Sequence, residues 1–226
     1  MPAIIATEKD FEGIKEIWEE HFTTDQEYLS IIFGEIIPRC TNYVYKVGEK
    51  VVSILSLMPM KFIDSSNNKP LNGWYMFGVA THKEYWGKRL AAETIKTASE
   101  ELEEKGYKFI FERPANQSLN QYYLNLGFSK QLGYIPYQFK GLEHGSTRNI
   151  ESKANQIVGE ISNSFTKRFE WENLEILKGL IKLGEVEFNN TIYAKTPPEG
   201  VFIAIKPLGN TQPEIFNNTF FCFPME

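Results

Sequence analysis

The sequence predicts an α/β protein in which a central, mixed and mostly antiparallel sheet is flanked by helices, followed by a small α+β unit. Segments with strand and helix periodicity alternate in the order β-α-α-β-β-β-α-β-α-β up to about residue 140. Of the 226 residues, 42% are apolar, which is ample for a packed core. A polar stretch at residues 143–149 then divides the chain, so we expect a domain of residues 1–140 and an extension of residues 141–226 that adds strands to it or stands beside it.

The N-terminal part is predicted to form a short strand, two helices and a hairpin. Thr7 and Asp10 have the spacing of a capping box that opens one helix, and a second helix is expected from about Asp25. Residues 43–47 and 51–62 then read as paired strands, because apolar and β-branched residues recur on both sides of a glycine turn.

The middle of the chain continues with a loop at residues 64–69, an aromatic central strand at residues 74–79 and a helix over residues 87–105. A short buried-type strand follows at residues 108–111, and a capping box that begins at Ser118 predicts another helix. In the extension we expect two helices, around residues 157–165 and 174–184, and three strands, at residues 186–194, 201–205 and 215–223.

Composition and charge exclude several classes of protein. A net charge of −5 leaves no basic field for a polyanion, so we expect no nucleic-acid partner. Cys40 and Cys222 lie far apart without metal-ligand spacing, which predicts no metal site and a reducing compartment. No apolar run reaches the ~20 residues that cross a bilayer, and residues 1–9 lack the features of a signal peptide. We therefore expect a cytoplasmic protein with no membrane partner.

The stretch from Val79 to Ala92 joins the central strand to the helix that is expected to open near Gly87. A helix N-terminus presents free N–H groups and a partial positive charge, which favour a phosphate group. Lys88 and Arg89 would lie in the first turn, where the helix dipole disfavours cations by roughly 0.3–1 kcal/mol each. A polyanion docked there would account for them; the alternative is that both are ordinary exposed basic residues.

A second signature consists of Asn116 and, seven residues later, Tyr123-x-x-x-Gly-Phe. Together with the first stretch and the order of elements, it resembles the GNAT superfamily of N-acetyltransferases over roughly residues 3–140, most specifically over residues 79–128. The resemblance implies a sheet in which two parallel strands splay apart in a V, with acetyl-coenzyme A as co-substrate and its thioester in the gap.

In this family the pyrophosphate turn usually reads Gln/Arg-x-x-Gly-x-Gly/Ala, and here that register falls on residues 86–91. Ala91 matches the last position, whereas Trp86 and Arg89 replace the usual polar residue and the middle glycine. The resemblance implies that the coenzyme is bound by Val79, Ala80, Thr81, Gly87, Lys88, Arg89, Leu90, Ala91, Ala92 and Asn116. For Asn116 it implies either a contact with the pantetheine arm or a part in orienting the acceptor.

By the same resemblance, Tyr123 protonates the departing coenzyme A thiolate. A phenol with a pKa of about 10 can serve as the proton source for a thiolate with a pKa of about 8.5 when it is held within reach. The alternative for Tyr123 is a core aromatic at helical spacing beside Tyr122, and for Asn116 a loop residue before a helix cap.

A general base is not carried over from the family, because the strand position where some relatives have a glutamate falls near Gly73. Glu112 is the nearest carboxylate and His82 the nearest imidazole. The terminal carboxylate of Glu226 is a third option, and an ordered water or an amine that arrives neutral would remove the need for a base.

Two functional hypotheses remain open at this point. In the first, the protein is an enzyme that transfers an acetyl group to the primary amine of a small molecule or a peptide. In the second, it is a degenerate member that binds acyl-coenzyme A as a sensor or partner-binding module, which Trp86 and Arg89 favour. A purely structural domain would make the register from Asn116 to Phe128 a coincidence, and a homodimer is an open option in either case.

Overall fold

The computed structural model describes residues 3–131, 137–138, 150–164, 166–187, 193–194 and 203–216. Among these residues, none of the helices is both long enough and apolar enough to cross a membrane. The strands are β1 (Ile4–Ile5), β2 (Thr41–Val47), β3 (Lys50–Asp64), β4 (Asn67–Thr81), β5 (Phe109–Glu112), β6 (Ser129–Gln131), β7 (Tyr137–Gln138), β8 (Lys167–Trp171), β9 (Tyr193–Ala194) and β10 (Ile203–Pro207). The helices are α1 (Phe11–His21), α2 (Gln26–Ile31), which continues in a π-helical turn (Ile32–Ile36), α3 (Leu90–Glu104), α4 (Asn120–Asn125), α5 (Ile150–Ser164) and α6 (Leu174–Glu187).

Eight of the strands form one mixed sheet. Seven of them follow the order β1-β2-β3-β4-β5-β10-β6, and the eighth, β8, pairs with β3 beyond Thr41, where β2 begins. Its neighbouring strands are antiparallel except for β4 and β5, which are parallel. The remaining described strands, β7 and β9, pair with each other. A mixed, mostly antiparallel sheet flanked by helices confirms the predicted fold class.

The two parallel strands separate part of the way along their length. β4 and β5 stay paired only as far as Tyr75 and Phe111, after which β4 continues to Thr81 with no partner on that edge among the described strands. The pairing of β4 with β3 shifts at a bulge around Gly78, whose φ of 64° favours glycine and where a Cβ would come 2.6 Å from Cζ2 of Trp18. The result is the V between β4 and β5 that the family resemblance implies.

Each face of the sheet has its own core. Side chains alternate along a strand, so Ile110 of β5 packs on the face covered by α3 and α4, and Phe109 and Phe111 pack on the opposite face. The opposite face is covered by α1, α2 and α6, whose apolar residues join one cluster with the sheet. These surfaces are called the α3/α4 face and the α1/α2 face below.

β10 lies between β5 and β6, although it comes last in the chain. Glu112 of β5 stands opposite Ala204 of β10, and Gln131 of β6 stands opposite Ile203 at the same end of the sheet. A tight turn could join β6 to β10, because Gln131 and Ile203 are already neighbours. Residues 132–202 are inserted at this point instead, so the insertion begins and ends close to Glu112.

The described part of the insertion returns to the body of the protein. β8 extends the sheet along β3, and α6 packs against α2 and the π-helical turn, where Lys182 Nζ lies 2.6 Å from Glu35 Oε1. Gly179 lies so close to the π-helical turn that a Cβ would come 2.9 Å from Cγ1 of Ile36. β8 and β10 both lie beyond residue 140 and both join the sheet, while a domain boundary at residue 140 stays a prediction.

Several predicted boundaries are wrong. α3 begins at Leu90 and not near Gly87, because Gly87 has a φ of 76° that is not helical, so Lys88 and Arg89 precede the first turn. The loop expected at residues 64–69 is a short hairpin turn between strands that end at Asp64 and resume at Asn67. These strands extend further because β8 and the hairpin pairing satisfy their backbone groups.

The extension also differs from the prediction. β8 was not expected, since its short charged sequence has no clear alternation, and α6 continues to Glu187, where a strand was predicted. The last predicted strand begins in a 3-10 turn at Pro213–Phe216, and its remainder lies outside the described residues.

Candidate active site

A cavity of about 430 Å³ opens beside the V on the α3/α4 face. Eight of the residues singled out in the sequence line it: Val79, Ala80, Thr81, Gly87, Arg89, Leu90, Ala91 and Tyr123. Lys88, Ala92 and Asn116 are not among the lining residues. Four further side chains complete the wall, although no coenzyme contact was predicted for them: Tyr85, Trp86, Leu119 and Tyr122.

The turn before α3 brings main-chain donors to the cavity. Arg89 caps α3 with φ 58° and ψ 22°, a left-handed conformation that costs a non-glycine residue of order 1 kcal/mol. The first N–H groups of α3, from Leu90 to Ala92, have no partner within the helix. Arg89 therefore adopts the left-handed backbone conformation that glycine adopts easily, and it adds an exposed cation to the cavity wall.

Two side chains of the turn are held by local contacts. The indole N–H of Trp86 donates to the carbonyl oxygen of Thr81 at 2.7 Å, although the side chain is 61% exposed. Lys88 Nζ lies 4.4 Å from the centre of the Tyr85 ring. Trp86, which departs from the family's polar residue, therefore ties the turn to the end of β4.

Asn116 acts as a helix cap. Its Oδ1 accepts a hydrogen bond from the N–H of Ser118 at 3.0 Å and opens the 3-10 turn Gln117–Leu119 that leads into α4. The capping box predicted at Ser118 is wrong, because the extended backbone of Asn116 places the cap two residues earlier. The contact between Asn116 and the coenzyme stays a prediction.

Glu112 and Tyr123 form a buried pair beside the cavity. The Tyr123 hydroxyl donates a hydrogen bond to the Glu112 carboxylate, and Tyr123 also lines the cavity. Glu112 is 6% exposed, and its Oε2 has no hydrogen-bond partner among the described residues. The Glu112 carboxylate thus interacts with Tyr123 from behind the cavity wall, since Tyr123 lines the cavity and Glu112 does not.

The environment shifts the pKa of both groups. Burial raises the pKa of Glu112 to about 8, although the hydrogen bond from Tyr123 and the charge of Arg113 favour the ionised form. Burial, followed by the negative charge of Glu112, raises the pKa of Tyr123 well above its usual value. Titratable groups with shifted pKa values beside a cleft are typical of functional sites.

The other predicted bases are less well placed. A Cβ at Gly73 would overlap the carbonyl oxygen of Phe109, so no glutamate fits at that strand position. His82 does not line the cavity, and its two ring nitrogens lie 3.3 Å from Lys50 Nζ and from the N–H of Glu84. Glu226 lies outside the described residues. Within the described ranges, no group of three or more His, Cys, Asp or Glu could hold a metal ion.

Solved structures share this fold. A probable N-acyltransferase from Enterococcus faecalis matches with a TM-score of 0.58 and 10% identity, over 79% of this chain and 48% of its own. A GCN5-related N-acetyltransferase from Anabaena variabilis matches with a TM-score of 0.54 and 18% identity, over 79% of this chain and 47% of its own. This chain spans about half the length of these two structures, and at such identities the likeness is one of fold alone. No curated protein sequence matches the chain.

The sequence also matches a family over more than half of its length. The model of the acetyltransferase (GNAT) family matches residues 7–128. This range contains the V between β4 and β5, the cavity, Glu112 and Tyr123. The chain therefore belongs to the acetyltransferase (GNAT) family.

Proposed function

We propose that the protein transfers the acetyl group of acetyl-coenzyme A to a primary amine. The observation that carries this proposal is the buried, hydrogen-bonded pair of Glu112 and Tyr123, which joins a base to an acid at the V. Membership of an acetyltransferase family supports acyl transfer. A protein that only binds an acyl-coenzyme A would have no need of both groups at that point.

The cavity wall fits an extended ligand that ends in phosphates. The end of β4, from Val79 to Thr81, lines the cavity with an edge that β5 does not cover, so the amides of a pantetheine arm can add there like another strand. The free N–H groups at the start of α3 and the exposed cation of Arg89 favour a diphosphate. Main-chain N–H groups at the V can also polarise a thioester carbonyl.

Glu112 is proposed to accept the proton that the amine loses. Its Oε2 is buried without a hydrogen-bond partner among the described residues, and a pKa of about 8 is close to the working pH at which a general base is most efficient. Burial keeps the carboxylate from being solvated, which increases its affinity for the proton.

Tyr123 is proposed to donate its proton to the thiolate of coenzyme A. While Glu112 is ionised, its charge raises the pKa of Tyr123 and opposes that donation. Once Glu112 holds the amine's proton, this charge is gone and Tyr123 becomes a stronger acid. The proton on Glu112 can then pass along their shared hydrogen bond to Tyr123, which restores both groups.

The acceptor is proposed to be a small-molecule amine, with a peptide amine as the second choice. The insertion begins and ends beside Glu112, and its α6 packs against α2 on the α1/α2 face. A folded protein surface would have to approach between these elements, whereas a small or extended amine needs only a channel. A negative net charge also favours a cationic amine over an acidic substrate.

The test is an acetyl-coenzyme A turnover assay across polyamines, amino acids, aminoglycosides and peptides, read by thiol release. With an acceptor identified, Tyr123→Phe removes only the hydroxyl. We expect kcat to fall by ~10²–10⁴-fold, while coenzyme A affinity and the melting temperature change little. Tyr45→Phe, on β2 away from the cavity, is the matched control and should keep full activity.

Two outcomes would contradict the proposal. Full turnover by Tyr123→Phe would remove the acid role of this residue. Coenzyme A binding without turnover of any amine would favour the sensor hypothesis, for which the specific observation is Trp86 and Arg89 in place of the family's polar residue and glycine.

A further inference from the structure

The free edge of β4 beside the cavity is held from behind by β3. β4 runs on past Tyr75, where its pairing with β5 ends, to Thr81, and residues 79–81 line the cavity. Just before this stretch, the pairing of β4 with β3 is interrupted by the bulge at Gly78. A ligand whose amides add to a strand edge needs an extended backbone there, because the hydrogen-bonding groups must face outward at regular spacing. The contacts that hold residues 80 and 81 beyond the bulge therefore affect how such a ligand binds.

Ser53 of β3 makes two of these contacts. It stands opposite Thr81 and is completely buried. Its hydroxyl donates a hydrogen bond to the carbonyl oxygen of Ala80 at 3.0 Å, and its Oγ lies 2.9 Å from Oγ1 of Thr81. A hydroxyl has one hydrogen and a carbonyl oxygen can only accept, so the Thr81 hydroxyl is the donor in the second bond. A single side chain thus binds the main chain of Ala80 and the side chain of Thr81.

These contacts also decide which backbone groups face the cavity side. The carbonyl of Ala80 points towards β3, and the N–H of His82 donates to the carbonyl oxygen of Val52 at 2.9 Å. Residues two apart in a strand direct their N–H and C=O groups to the same edge, and the residue between them directs its groups to the other edge. Thr81 therefore directs its N–H and C=O to the free edge, where the indole N–H of Trp86 binds its carbonyl oxygen at 2.7 Å. The N–H of Thr81 lies on an edge where none of the described strands pairs with it.

We propose that Ser53 is a positioning residue for coenzyme A, which keeps the free edge of β4 in the conformation that pairs with the pantetheine arm. Coenzyme A is the ligand here because of the proposed acetyl transfer, so this role of Ser53 rests on the proposed function. Ser53 is buried and does not line the cavity, so it acts through Ala80 and Thr81 and not by touching the ligand. Without its hydroxyl, the Ala80 carbonyl and the Thr81 hydroxyl each lose a partner, and the end of β4 beyond the bulge is held less firmly.

The experiment compares coenzyme A binding by the parent protein, Ser53→Ala and Ser56→Ala, measured by isothermal titration. Ser56 is the matched control, because it lies on the same strand, is 1% exposed against 0% for Ser53, and donates to Asn42 Oδ1 at 2.7 Å. It stands opposite Phe77, which precedes the bulge. Each substitution removes one buried hydroxyl, so both should lower the melting temperature by roughly 2–4 °C. The dissociation constant of coenzyme A should rise by roughly three- to tenfold in Ser53→Ala and stay at the parent value in Ser56→Ala.

Further measurements distinguish positioning from a general loss of structure. The nucleotide 3′-phospho-ADP keeps the diphosphate of coenzyme A but lacks the pantetheine arm, so its affinity should be the same in Ser53→Ala and in the parent protein. With an acceptor identified, Ser53→Ala should raise KM for acetyl-coenzyme A by the same factor as the dissociation constant and leave kcat within about twofold of the parent value. Ser53→Cys fills the same space with a weaker donor, and its coenzyme A affinity should lie between those of the parent and Ser53→Ala.

The outcomes separate this role of Ser53 from the proposed function. Unchanged coenzyme A affinity in Ser53→Ala and Ser53→Cys would overturn the positioning role and leave the proposed function intact. Equal weakening in Ser53→Ala and Ser56→Ala would assign the effect to general destabilisation, and equal weakening of coenzyme A and 3′-phospho-ADP would assign it to the diphosphate site; either result would also overturn the role. A parent protein that binds no coenzyme A would contradict the proposed function itself. If Ser53→Ala does not fold, the comparison of Ser53→Cys with Ser56→Ala decides the matter.

Discussion

The two faces of the sheet are assembled from the chain in different ways. The cavity, the turn before α3 and the pair of Glu112 and Tyr123 come from one continuous stretch, residues 79–123, on or beside the α3/α4 face. The α1/α2 face combines α1 and α2 with α6, which lies more than a hundred residues later in the chain. The difference indicates that the proposed cofactor and proton-transfer chemistry is encoded locally, whereas the α1/α2 face depends on long-range assembly.

The largest effect is expected on kcat, because the proposed base belongs to the α3/α4 face and not to the α1/α2 face. Glu112→Gln keeps the shape of the side chain but removes the base, so kcat should fall by ~10²–10⁴-fold at nearly constant coenzyme A affinity. Glu35→Gln, which alters a carboxylate of the α1/α2 face that binds Lys182, is the matched control and should retain turnover. Steady-state kinetics with saturating acetyl-coenzyme A measures both. Equal losses of kcat in the two variants would show that the proposed chemistry is not confined to the α3/α4 face.

A second prediction concerns the contact between the faces, where Trp18 packs on the bulge of β4. Gly78→Ala forces a Cβ into Trp18 and a side chain into a left-handed conformation, so the free energy of unfolding should fall by about 1–3 kcal/mol or more. Gly159→Ala is the control, because nothing lies within 4 Å of a Cβ there in α5, and it should stabilise by up to about 1 kcal/mol. Urea unfolding compares the two. An unchanged stability in Gly78→Ala would show that the bulge is not fixed by Trp18.

A smaller effect is expected at the start of α3. Arg89→Gly restores the family's residue and relieves the left-handed strain, so the free energy of unfolding should rise by up to about 1 kcal/mol. If Arg89 contacts the phosphates, coenzyme A should bind roughly tenfold more weakly, which corresponds to about 1.4 kcal/mol. Isothermal titration measures the affinity, and Lys96→Ala, exposed elsewhere on α3, is the control. Tighter binding by Arg89→Gly would mean that the arginine obstructs the diphosphate.

The smallest effect is expected where the insertion meets the π-helical turn. Lys182 and Glu35 are each one third exposed, so Lys182→Ala should lower the free energy of unfolding by no more than about 1 kcal/mol. Coenzyme A affinity should stay the same, since the cavity is on the other face. A thermal shift with and without coenzyme A reports both quantities. A change in coenzyme A affinity would show that α6 is coupled to the cofactor cavity.

The same local encoding explains what could be predicted from the sequence. The periodicity of the elements predicted the order of strands and helices along the chain as far as β6, and Tyr123, singled out by its spacing, lines the cavity. The position of β10 between β5 and β6 could not be predicted, because strand neighbours distant in sequence leave no local pattern. The hydrogen bond between Tyr123 and Glu112 was missed for the same reason, since it depends on how α4 packs on β5.

The central claim is that Glu112 is the base of the reaction, and the pH dependence of kcat/KM tests it most directly. Burial raises the pKa of Glu112 to about 8, so the ionised base form accumulates only as the pH rises through that value. We predict that kcat/KM of the parent protein rises with pH and levels off above about 8, and that Glu112→Gln loses this inflection together with most of its activity. An inflection near the same pH in Glu112→Gln would assign the titration to another group, such as the acceptor amine, and would contradict the account.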